Sequence, residues 1–172
     1  MSRTILAISL VDFRLYRRGD FAQLYAIEEA CFEPPLRFGR GYMRQLIARS
    51  QAATWIAEEN GRMLGFAIVE WSTTPAEAVA YIPTIEVAAA ARGRGVGGEL
   101  LRRIEASTRA AGASVLWLHV DAENVPAIRL YEAYGYRRWG SEAGYYGRGR
   151  AALVYGKGLS SPGIPSNSAE AP

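Results

Sequence analysis

Residues 92–98, with the sequence RGRGVGG, have a composition suited to binding an anion. They lie between a run predicted to be a strand and apolar residues at helical spacing, namely Val96, Leu100 and Ile104. Because glycine lacks a Cβ atom, backbone N–H groups in such a turn can approach phosphate oxygens, and the start of the following helix favours negative charge. The turn is therefore predicted to bind a pyrophosphate through Arg92, Gly93, Arg94, Gly95, Val96, Gly97 and Gly98.

Two other phosphate-binding motifs fit this turn poorly. It lacks the Lys-Ser/Thr ending of the nucleoside triphosphatase loop, and a dinucleotide-binding fold would place the glycines after its first strand. The alternative without a ligand is a glycine-rich turn that serves only tight packing.

His119 is the only histidine of the chain and lies near the end of a predicted strand, VLWLHV. A histidine titrates near neutrality, which makes it a candidate for accepting a proton in a reaction. From the residues alone, a strand histidine with satisfied hydrogen bonds is the alternative. One histidine and one cysteine, Cys31, are too few for a metal site built from such residues, so no metal is predicted.

The order of elements around these residues indicates a mixed α/β fold. Strand, helix, helix, three strands, helix, strand, helix and two strands follow one another. Asn60 and Gly61 favour a tight hairpin turn, while Asp20 and Asn124 are predicted to cap helices. The predicted elements include strands at residues 54–58, 63–71, 78–87, 115–120, 137–142 and 151–157, and a second helix at residues 41–50.

Composition favours a single soluble domain over residues 1–159, followed by a disordered Ser-, Pro- and Gly-containing tail at residues 160–172. The 172 residues are 49% hydrophobic and 22% charged, and no apolar run reaches the length of a membrane span. The basic residues behind the net charge of +3 are scattered, so nucleic-acid binding is not predicted. No secretory signal is recognised, and the cytoplasm is the expected compartment.

Arg92, Gly95 and Gly97 match the signature of the GNAT superfamily of acyl-CoA-dependent N-acyltransferases: Arg or Gln, two residues, Gly, one residue, then Gly or Ala. The later segment LHVDAENVPAIRLYEAYGY also resembles this superfamily. The resemblance implies an α/β fold with an α+β mixed sheet of about seven strands, helices on both faces, and splayed fourth and fifth strands. It implies acetyl-CoA as cosubstrate, with its pantetheine arm between those strands and along Ile85, Glu86 and Val87.

The resemblance also implies roles for two residues near the cofactor. Tyr131 would protonate the departing thiolate, because similar proteins place a tyrosine near the cofactor sulfur and a phenol with a pKa of about 10 can act as the acid. Its alternative role is a core aromatic at helical spacing with Ile128. Asn124 would contact the cofactor arm, cap a helix, or do both.

The general base differs between subgroups of the superfamily. Ribosomal-protein alanine acetyltransferases of the RimI type usually carry Glu at the position of His119, so the chain departs from that pattern. N-terminal acetyltransferases of the NatE type are more similar here, because they combine a motif like YIPT with a later LHV. By that resemblance Tyr81 and His119 would act through an ordered water, with Glu86 as a weaker substitute.

Two segments resemble the peptide site of N-terminal acetyltransferases. Tyr145 and Tyr146 would form one wall, and the loop at residues 33–38 the other, through Glu33, Pro34, Pro35 and Leu36. Neighbouring strand residues point to opposite faces, so at least one of the two tyrosines should be exposed. An α-amine, with a pKa near 8 against about 10.4 for lysine, yields its neutral form more readily.

The expected function is transfer of an acetyl group from acetyl-CoA to the α-amine of a protein or peptide, by direct attack in a ternary complex. A backbone N–H of the fourth strand would polarise the thioester, and Cys31 would be dispensable. Two alternatives stay open: acetylation of a small free amine, and a module that binds acetyl-CoA without turnover. Both a monomer and a homodimer fit the sequence.

Overall fold

The computed structural model describes residues 10–74, 77–147 and 149–159, which form a mixed sheet with helices on both faces. The strands are β1 (Asp12–Leu15), β2 (Ala52–Glu59), β3 (Arg62–Thr74), β4 (Glu77–Val87), β5 (Val115–Asp121), β6 (Arg137–Glu142) and β7 (Ala152–Gly158). The α-helices are α1 (Phe21–Cys31), α2 (Arg40–Ile47), α3 (Val96–Ala110) and α4 (Val125–Ala133). The predicted mixed α/β fold is confirmed, while the predicted tail at residues 160–172 lies outside the described residues.

The strands lie in the order β1-β2-β3-β4-β5-β7-β6. Neighbouring strands are antiparallel, except that β4 and β5 are parallel. A parallel pair needs a crossover connection, which α3 supplies here. The glycine-rich turn that starts α3 therefore lies where β4 ends.

β4 and β5 separate after a short paired stretch, as the resemblance implies. The register runs from Val79 opposite Val115 to Tyr81 opposite Trp117, and the described residues of β4 beyond Tyr81 have no partner in β5. The two strands thus open into a cleft toward their carboxyl ends.

A bulge in β4 lies next to the point of separation. Ile68 of β3 is opposite Thr84, and Glu70 is opposite Tyr81, so β4 has one residue more than β3 across this interval. Pro83, which has no N–H to donate, lies within the bulge. Bulge and splay together leave backbone groups of β4 available to a ligand near Tyr81.

The core has two parts, one on each face of the sheet. α3 packs on one face through the fully buried Leu100, Leu101 and Ile104. α1 and α2 cover the other face with residues such as Leu24 and Met43, and their partners in the sheet come from β2 and β3. This second cluster ends before the β4–β5 junction, which leaves that part of the face available for a binding site.

Two local predictions agree with the backbone geometry. Asn60 and Gly61 have φ angles of 53° and 76°, as a tight hairpin turn requires. Asn124 caps α4, because its Oδ1 accepts a hydrogen bond from the N–H of Ala127 at 3.2 Å. Asn60 and Gly61 tolerate the positive φ angles of the hairpin turn, and Asn124 supplies the acceptor for a free N–H at the start of α4.

The predicted capping role of Asp20 is wrong. Asp20 directly precedes α1, but its carboxylate accepts a hydrogen bond from the N–H of Arg17 at 2.6 Å and binds the Arg14 guanidinium at 2.7 Å. A short 3-10 turn, Arg18–Asp20, comes before α1 and turns this side chain toward β1. An ion pair to the first strand therefore takes the place of a helix cap.

The helices differ from their predicted bounds by a few residues. α2 starts at Arg40 and ends at Ile47, whereas the sequence indicates residues 41–50. α3 is 15 residues long. In the described part of the chain no helix combines the length and the apolarity needed to cross a bilayer.

Candidate active site

A cavity of about 130 Å³ lies where β4 and β5 separate. α4 borders it on one side, and the α1–α2 loop and the β6–β7 loop border it on the other. Of the predicted site residues it is lined by Leu36, Tyr81, Ile85, His119, Asn124, Tyr131, Tyr145 and Tyr146. The structure thus brings the three predicted catalytic residues together with parts of both predicted binding segments.

Tyr81 and His119 form a hydrogen-bonded pair at the bottom of the cleft. Tyr81 Oη lies 3.1 Å from His119 Nδ1, and His119 Nε2 lies 3.1 Å from Glu142 Oε1. A neutral imidazole has one donor and one acceptor nitrogen. Tyr81 therefore donates to Nδ1 while Nε2–H donates to Glu142, which fixes the orientation of the ring.

Both predicted catalytic tyrosines keep their protons. Burial, followed by a hydrogen bond to Tyr145, raises the pKa of Tyr81 far above its usual value. Burial likewise raises the pKa of Tyr131, whose side chain is 7% exposed. A phenol with a raised pKa donates a hydrogen bond but releases its proton less easily than a free phenol, and neither side chain is suited to be a base.

Tyr145 covers the imidazole of His119. The two rings stack at 4.2 Å with an interplanar angle of 17°, and Tyr145 meets the Tyr146 ring edge-on at 4.8 Å. Tyr145 is 45% exposed and Tyr146 is partly buried, so the expectation that at least one is exposed is confirmed. The β6–β7 loop therefore covers the pair of Tyr81 and His119 through the ring of Tyr145.

The turn before α3 presents unpaired backbone donors. Gly93 and Gly95 have φ angles of 74° and 79°, and a Cβ added at either would meet no atom within 4 Å. Gly95 is the N-cap of α3 without a side-chain cap, so the N–H groups of Val96, Gly97 and Gly98 have no acceptor within the helix. Free amides at a helix start, in a turn without side chains at Gly93 and Gly95, fit a diphosphate.

The two arginines of the turn bind neighbouring strands. Arg92 Nε donates to the carbonyl of Val87 at 3.1 Å, and Arg94 pairs with Glu59 at 2.7 Å. These contacts fix the turn against β4 and β2. The positive charge of Arg92, which has no carboxylate partner among the described residues, adds to the attraction for an anion.

The surroundings of Gly97 and Gly98 differ in whether they have room for a side chain. A Cβ at Gly98 would overlap the phenol of Tyr134, so the absence of a side chain there serves the packing of α4 on α3. A Cβ at Gly97 would lie 3.4 Å from Leu130 and 3.6 Å from Val87, which is ordinary contact. The packing explanation therefore accounts for Gly98 and leaves Gly97 unexplained.

Ile85 and Val87 lie on the α3 side of β4, whereas the side chain of Glu86 lies beneath α1. Glu86 is 3% exposed, accepts a hydrogen bond from Thr84 Oγ1 at 2.7 Å and faces Glu28. Burial and the Glu28 carboxyl raise the pKa of Glu86. A carboxyl that holds its proton cannot accept one from an amine, so the raised pKa argues against Glu86 as the base.

The α1–α2 loop borders a second cavity of about 480 Å³. Glu33, Pro34 and Leu36 line it on one side, and across it Arg150 binds Asp121 at 2.6 Å. The remaining member of the predicted segment, Pro35, is exposed and lies outside this lining. Three of the four predicted loop residues therefore lie beside open space next to the β4–β5 cleft.

A third, open groove of about 560 Å³ lies on the other side of Tyr81. Its floor includes the cross-strand row of Glu70, Tyr81 and Trp117, which are opposite one another in β3, β4 and β5. Arg49 forms an ion pair with Glu70 at the rim. Tyr81 is the residue that this groove shares with the 130 Å³ cavity.

Sequence reasoning missed Glu142, Glu70, Trp117 and Arg150. Three of them come near the predicted residues only after the sheet has formed; Glu142, for example, is in β6, which β7 separates from β5. Trp117 could have been found from the sequence, because it lies two residues before His119 in the same strand and so on the same face. That period-two spacing was the available signal.

Residues 21–136 match the model of the acetyltransferase (GNAT) family. Streptothricin acetyltransferase of Streptomyces lavendulae is 37% identical over 87 residues, which cover 51% of this chain and 45% of that protein. A mycothiol acetyltransferase of Acidothermus cellulolyticus is 30% identical over 151 residues, 77% of this chain and 46% of that protein. The chain spans less than half the length of these two curated relatives.

Solved structures share the fold over almost the whole described chain. Ribosomal-protein-S18-alanine N-acetyltransferase from Escherichia coli has a TM-score of 0.77 at 23% identity, covering 91% of this chain and 98% of that one. Nourseothricin acetyltransferase has a TM-score of 0.71 at 25% identity, covering 87% of this chain and 99% of that one. With the family match, the splayed mixed sheet and the glycine-rich turn, these similarities show that the chain belongs to the acetyltransferase (GNAT) family.

Proposed function

We propose that this chain transfers the acetyl group of acetyl-CoA to a primary amine, and that its acceptor is the α-amine of a protein or peptide N-terminus. The observation that carries the proposal is the pair of Tyr81 and His119, joined at 3.1 Å at the bottom of a cleft that Tyr131 also lines. A thioester supplies an acyl group that an uncharged amine attacks directly. The residues of the chain must therefore bind the cosubstrate, accept one proton and donate another.

The turn before α3 and the free edge of β4 would bind the cosubstrate. The amides of Val96, Gly97 and Gly98 would bind the diphosphate. Backbone groups of β4 beyond Tyr81, which have no partner in β5, would pair with the pantetheine arm. A backbone N–H beside the bulge would stabilise the developing oxyanion, since a fixed amide needs no reorganisation during the reaction.

His119 would accept the proton of the incoming ammonium through a water held with Tyr81. Because Nδ1 already accepts the hydroxyl proton of Tyr81, the transfer would be a relay: the ammonium gives a proton to the water, the water gives one to Tyr81 Oη, and Tyr81 passes its own to Nδ1. Glu142 would stabilise the imidazolium that forms. Tyr131, on the opposite wall, would return a proton to the departing thiolate. With the base and the acid supplied by separate side chains, no acetylated residue is needed, and Cys31 has no part in the reaction.

The acceptor would approach between the α1–α2 loop and the β6–β7 loop. The 480 Å³ cavity beside Glu33, Pro34 and Leu36 has room for the residues that follow an N-terminal amine. Tyr145 and Tyr146 form the opposite wall of the smaller cavity. An α-amine suits this arrangement because its neutral form is accessible near physiological pH.

A panel of acceptors tests the proposal. CoA release would be measured with peptides that have a free N-terminus, with Nα-blocked peptides that contain lysine, and with small polyamines, and the products would be located by mass spectrometry. We expect acetylation of the free α-amine. CoA binding without release across the panel would instead favour a binding module, and transfer to polyamines alone would favour the second candidate below.

The second candidate acceptor is a small cationic amine. The 560 Å³ groove shares Tyr81 with the catalytic cavity and offers the Glu70 carboxylate and the Trp117 indole, groups that bind cations. The similarity to streptothricin acetyltransferase points the same way. If this candidate is right, Trp117→Ala and Glu70→Gln raise KM for the amine while Leu36→Ala does not. For a peptide acceptor the opposite pattern is expected.

A further inference from the structure

Two glutamates outside the proposed chemistry are buried together between α1 and β4. Glu28 is 0% exposed and Glu86 is 3% exposed. Buried carboxylates are usually paired with a cation, yet among the described residues no arginine or lysine forms an ion pair with either. Two negative charges at this depth would be unfavourable, both by desolvation and by mutual repulsion.

Each carboxyl group has one oxygen with a donor and one without. The N–H of Phe38 donates to Glu28 Oε1 at 2.6 Å, and Thr84 Oγ1 donates to Glu86 Oε1 at 2.7 Å. Among the described residues, both Oε2 atoms are buried without a partner. The two carboxyl groups are neighbours, since α1 packs against β4, Glu28 acts on the pKa of Glu86, and both act on Cys31. A proton between them would supply the missing donor and satisfy both oxygens.

We infer that Glu28 and Glu86 share one proton, and that this shared proton holds the α1–α2 loop in position against β4. The connection to the loop is direct, because Glu28 accepts the N–H of Phe38 while Tyr25 Oη donates to the carbonyl of the same residue at 3.0 Å. Phe38 and Leu36 line the catalytic cavity. Glu28 and Glu86 are therefore positioning residues that do not touch the reacting atoms.

The surroundings of the pair favour retention of the proton. Burial and Glu28 raise the pKa of Glu86. The nearby Cys31 thiol of α1 stays neutral as well, because burial raises its pKa. Arg92, from the turn before α3, reaches Cys31 Sγ at 3.7 Å but forms no ion pair with the glutamates. Phe66, opposite Glu86 in β3, is apolar.

This inference rests on the proposed acceptor role of the loop, but its test measures no acetyl transfer. Infrared spectra of the full chain labelled with ¹³C-glutamate should contain, at pH 7, the carbonyl-stretch band of a protonated carboxylic acid. Glu86→Gln should abolish this band. A wild-type spectrum without the band, or a band that persists in Glu86→Gln, would overturn the inference.

Amide hydrogen exchange at Phe38 tests the positioning of the loop. Glu86→Gln keeps an N–H donor for Glu28, whereas Glu86→Leu removes it at similar size. We expect wild-type protection of the Phe38 amide in the first variant, and exchange at least about tenfold faster in the second. Equal protection in all three proteins would contradict the positioning role.

CoA binding to each variant tests the proposed function, whereas the infrared and hydrogen-exchange measurements test the shared proton. If Glu86→Leu fails to fold, the infrared measurement and Glu86→Gln still decide the question. Once an acceptor is known, Glu86→Leu should raise its KM with little change in KM for acetyl-CoA. A lower kcat with unchanged KM would argue against positioning.

Discussion

At the scale of single residues, both ring nitrogens of His119 have a hydrogen-bonding partner. Nδ1 faces the phenol of Tyr81 and Nε2 faces Glu142, so the imidazole is oriented before any acceptor arrives. The sequence indicated Tyr81, His119 and Tyr131 because they lie in motifs that resemble those of a known family. Glu142 has no such motif, and its position depends on the register of β6 on β7.

Tyr131→Phe should lower kcat about a hundredfold or more, because the departing thiolate loses its acid. KM for acetyl-CoA should change little, since the ring and its edge-on contact with Tyr136 remain. Steady-state kinetics with a peptide acceptor would measure both constants. Cys31→Ala is the control and should retain activity. A fully active Tyr131→Phe enzyme would disprove the role of this phenol as acid.

Tertiary packing explains the roles of several residues that residue type alone does not explain. Asp20 has the composition of a helix cap but pairs with Arg14, because the 3-10 turn before α1 orients it toward β1. Gly98 belongs to a sequence motif for anion binding, yet the ring of Tyr134 explains its missing side chain. A residue type restricts the possible roles, and tertiary contacts select among them.

At the scale of elements, the bounds of strands and helices followed closely from sequence periodicity. Asn60-Gly61 set the β2–β3 hairpin, and the spacing of Val96, Leu100 and Ile104 set α3. The separation of β4 and β5 could not be predicted from periodicity, and only the family resemblance predicted it. It depends on a register between distant segments, which local patterns do not encode.

Two substitutions separate binding from packing in the turn. Gly97→Pro removes one of the backbone N–H groups proposed to bind the diphosphate, in the first turn of α3, where this N–H has no acceptor within the helix. Loss of one charge-assisted hydrogen bond should weaken CoA binding about tenfold or more. The free energy of unfolding should change by only about 1 kcal/mol or less, because proline is tolerated in the first turn of a helix. Calorimetry with CoA and urea unfolding would measure the two effects.

Gly98→Ala is the matched comparison. Because its methyl meets the Tyr134 ring, unfolding should become easier by about 1–3 kcal/mol. Similar losses of stability in both variants, with unchanged CoA affinity in Gly97→Pro, would leave the turn with a packing role only.

The contact between α1 and β4 makes stability depend on pH. Glu86 has a raised pKa, so the folded state holds this proton more tightly than the unfolded chain. Its stabilising effect is complete below the usual glutamate pKa of about 4.3, and it is lost as pH rises toward the folded-state value. The slope reaches about 1.4 kcal/mol per pH unit for one proton.

Glu86→Gln removes this titration. Urea unfolding at pH 5, 7 and 9 should show the variant gaining stability relative to the wild type as pH rises. Parallel stability curves for the two proteins would rule out a raised pKa at Glu86.

At the scale of the whole molecule, charge is divided between the two sides of the cleft. The chain has a net charge of +3, and Arg92 and Arg94 flank the turn before α3. The two cavities on the acceptor side are lined by more carboxylates than guanidinium groups: Glu33, Glu70, Asp121 and Glu123 against Arg49 and Arg150. An anionic cosubstrate and a cationic acceptor would therefore be drawn to different sides.

Salt should weaken the capture of a cationic acceptor. Raising ionic strength from about 0.1 M to about 1 M shortens the screening length from about 10 Å to about 3 Å, so kcat/KM for the amine should fall severalfold. Initial rates at saturating acetyl-CoA would measure this. Glu33→Gln combined with Glu70→Gln should flatten the dependence, and an unchanged slope would assign it to other charges.

The unpaired side of β4 beyond Tyr81 also affects the lifetime of the folded protein. An open strand edge inside a sheet is a place where another chain can add, and a ligand that lies along it completes the hydrogen bonding of the sheet. Ligand at a hundredfold excess over its Kd stabilises a folded protein by about 2.7 kcal/mol. If acetyl-CoA is the cosubstrate, as proposed, its cellular pool would then also protect this chain from aggregation.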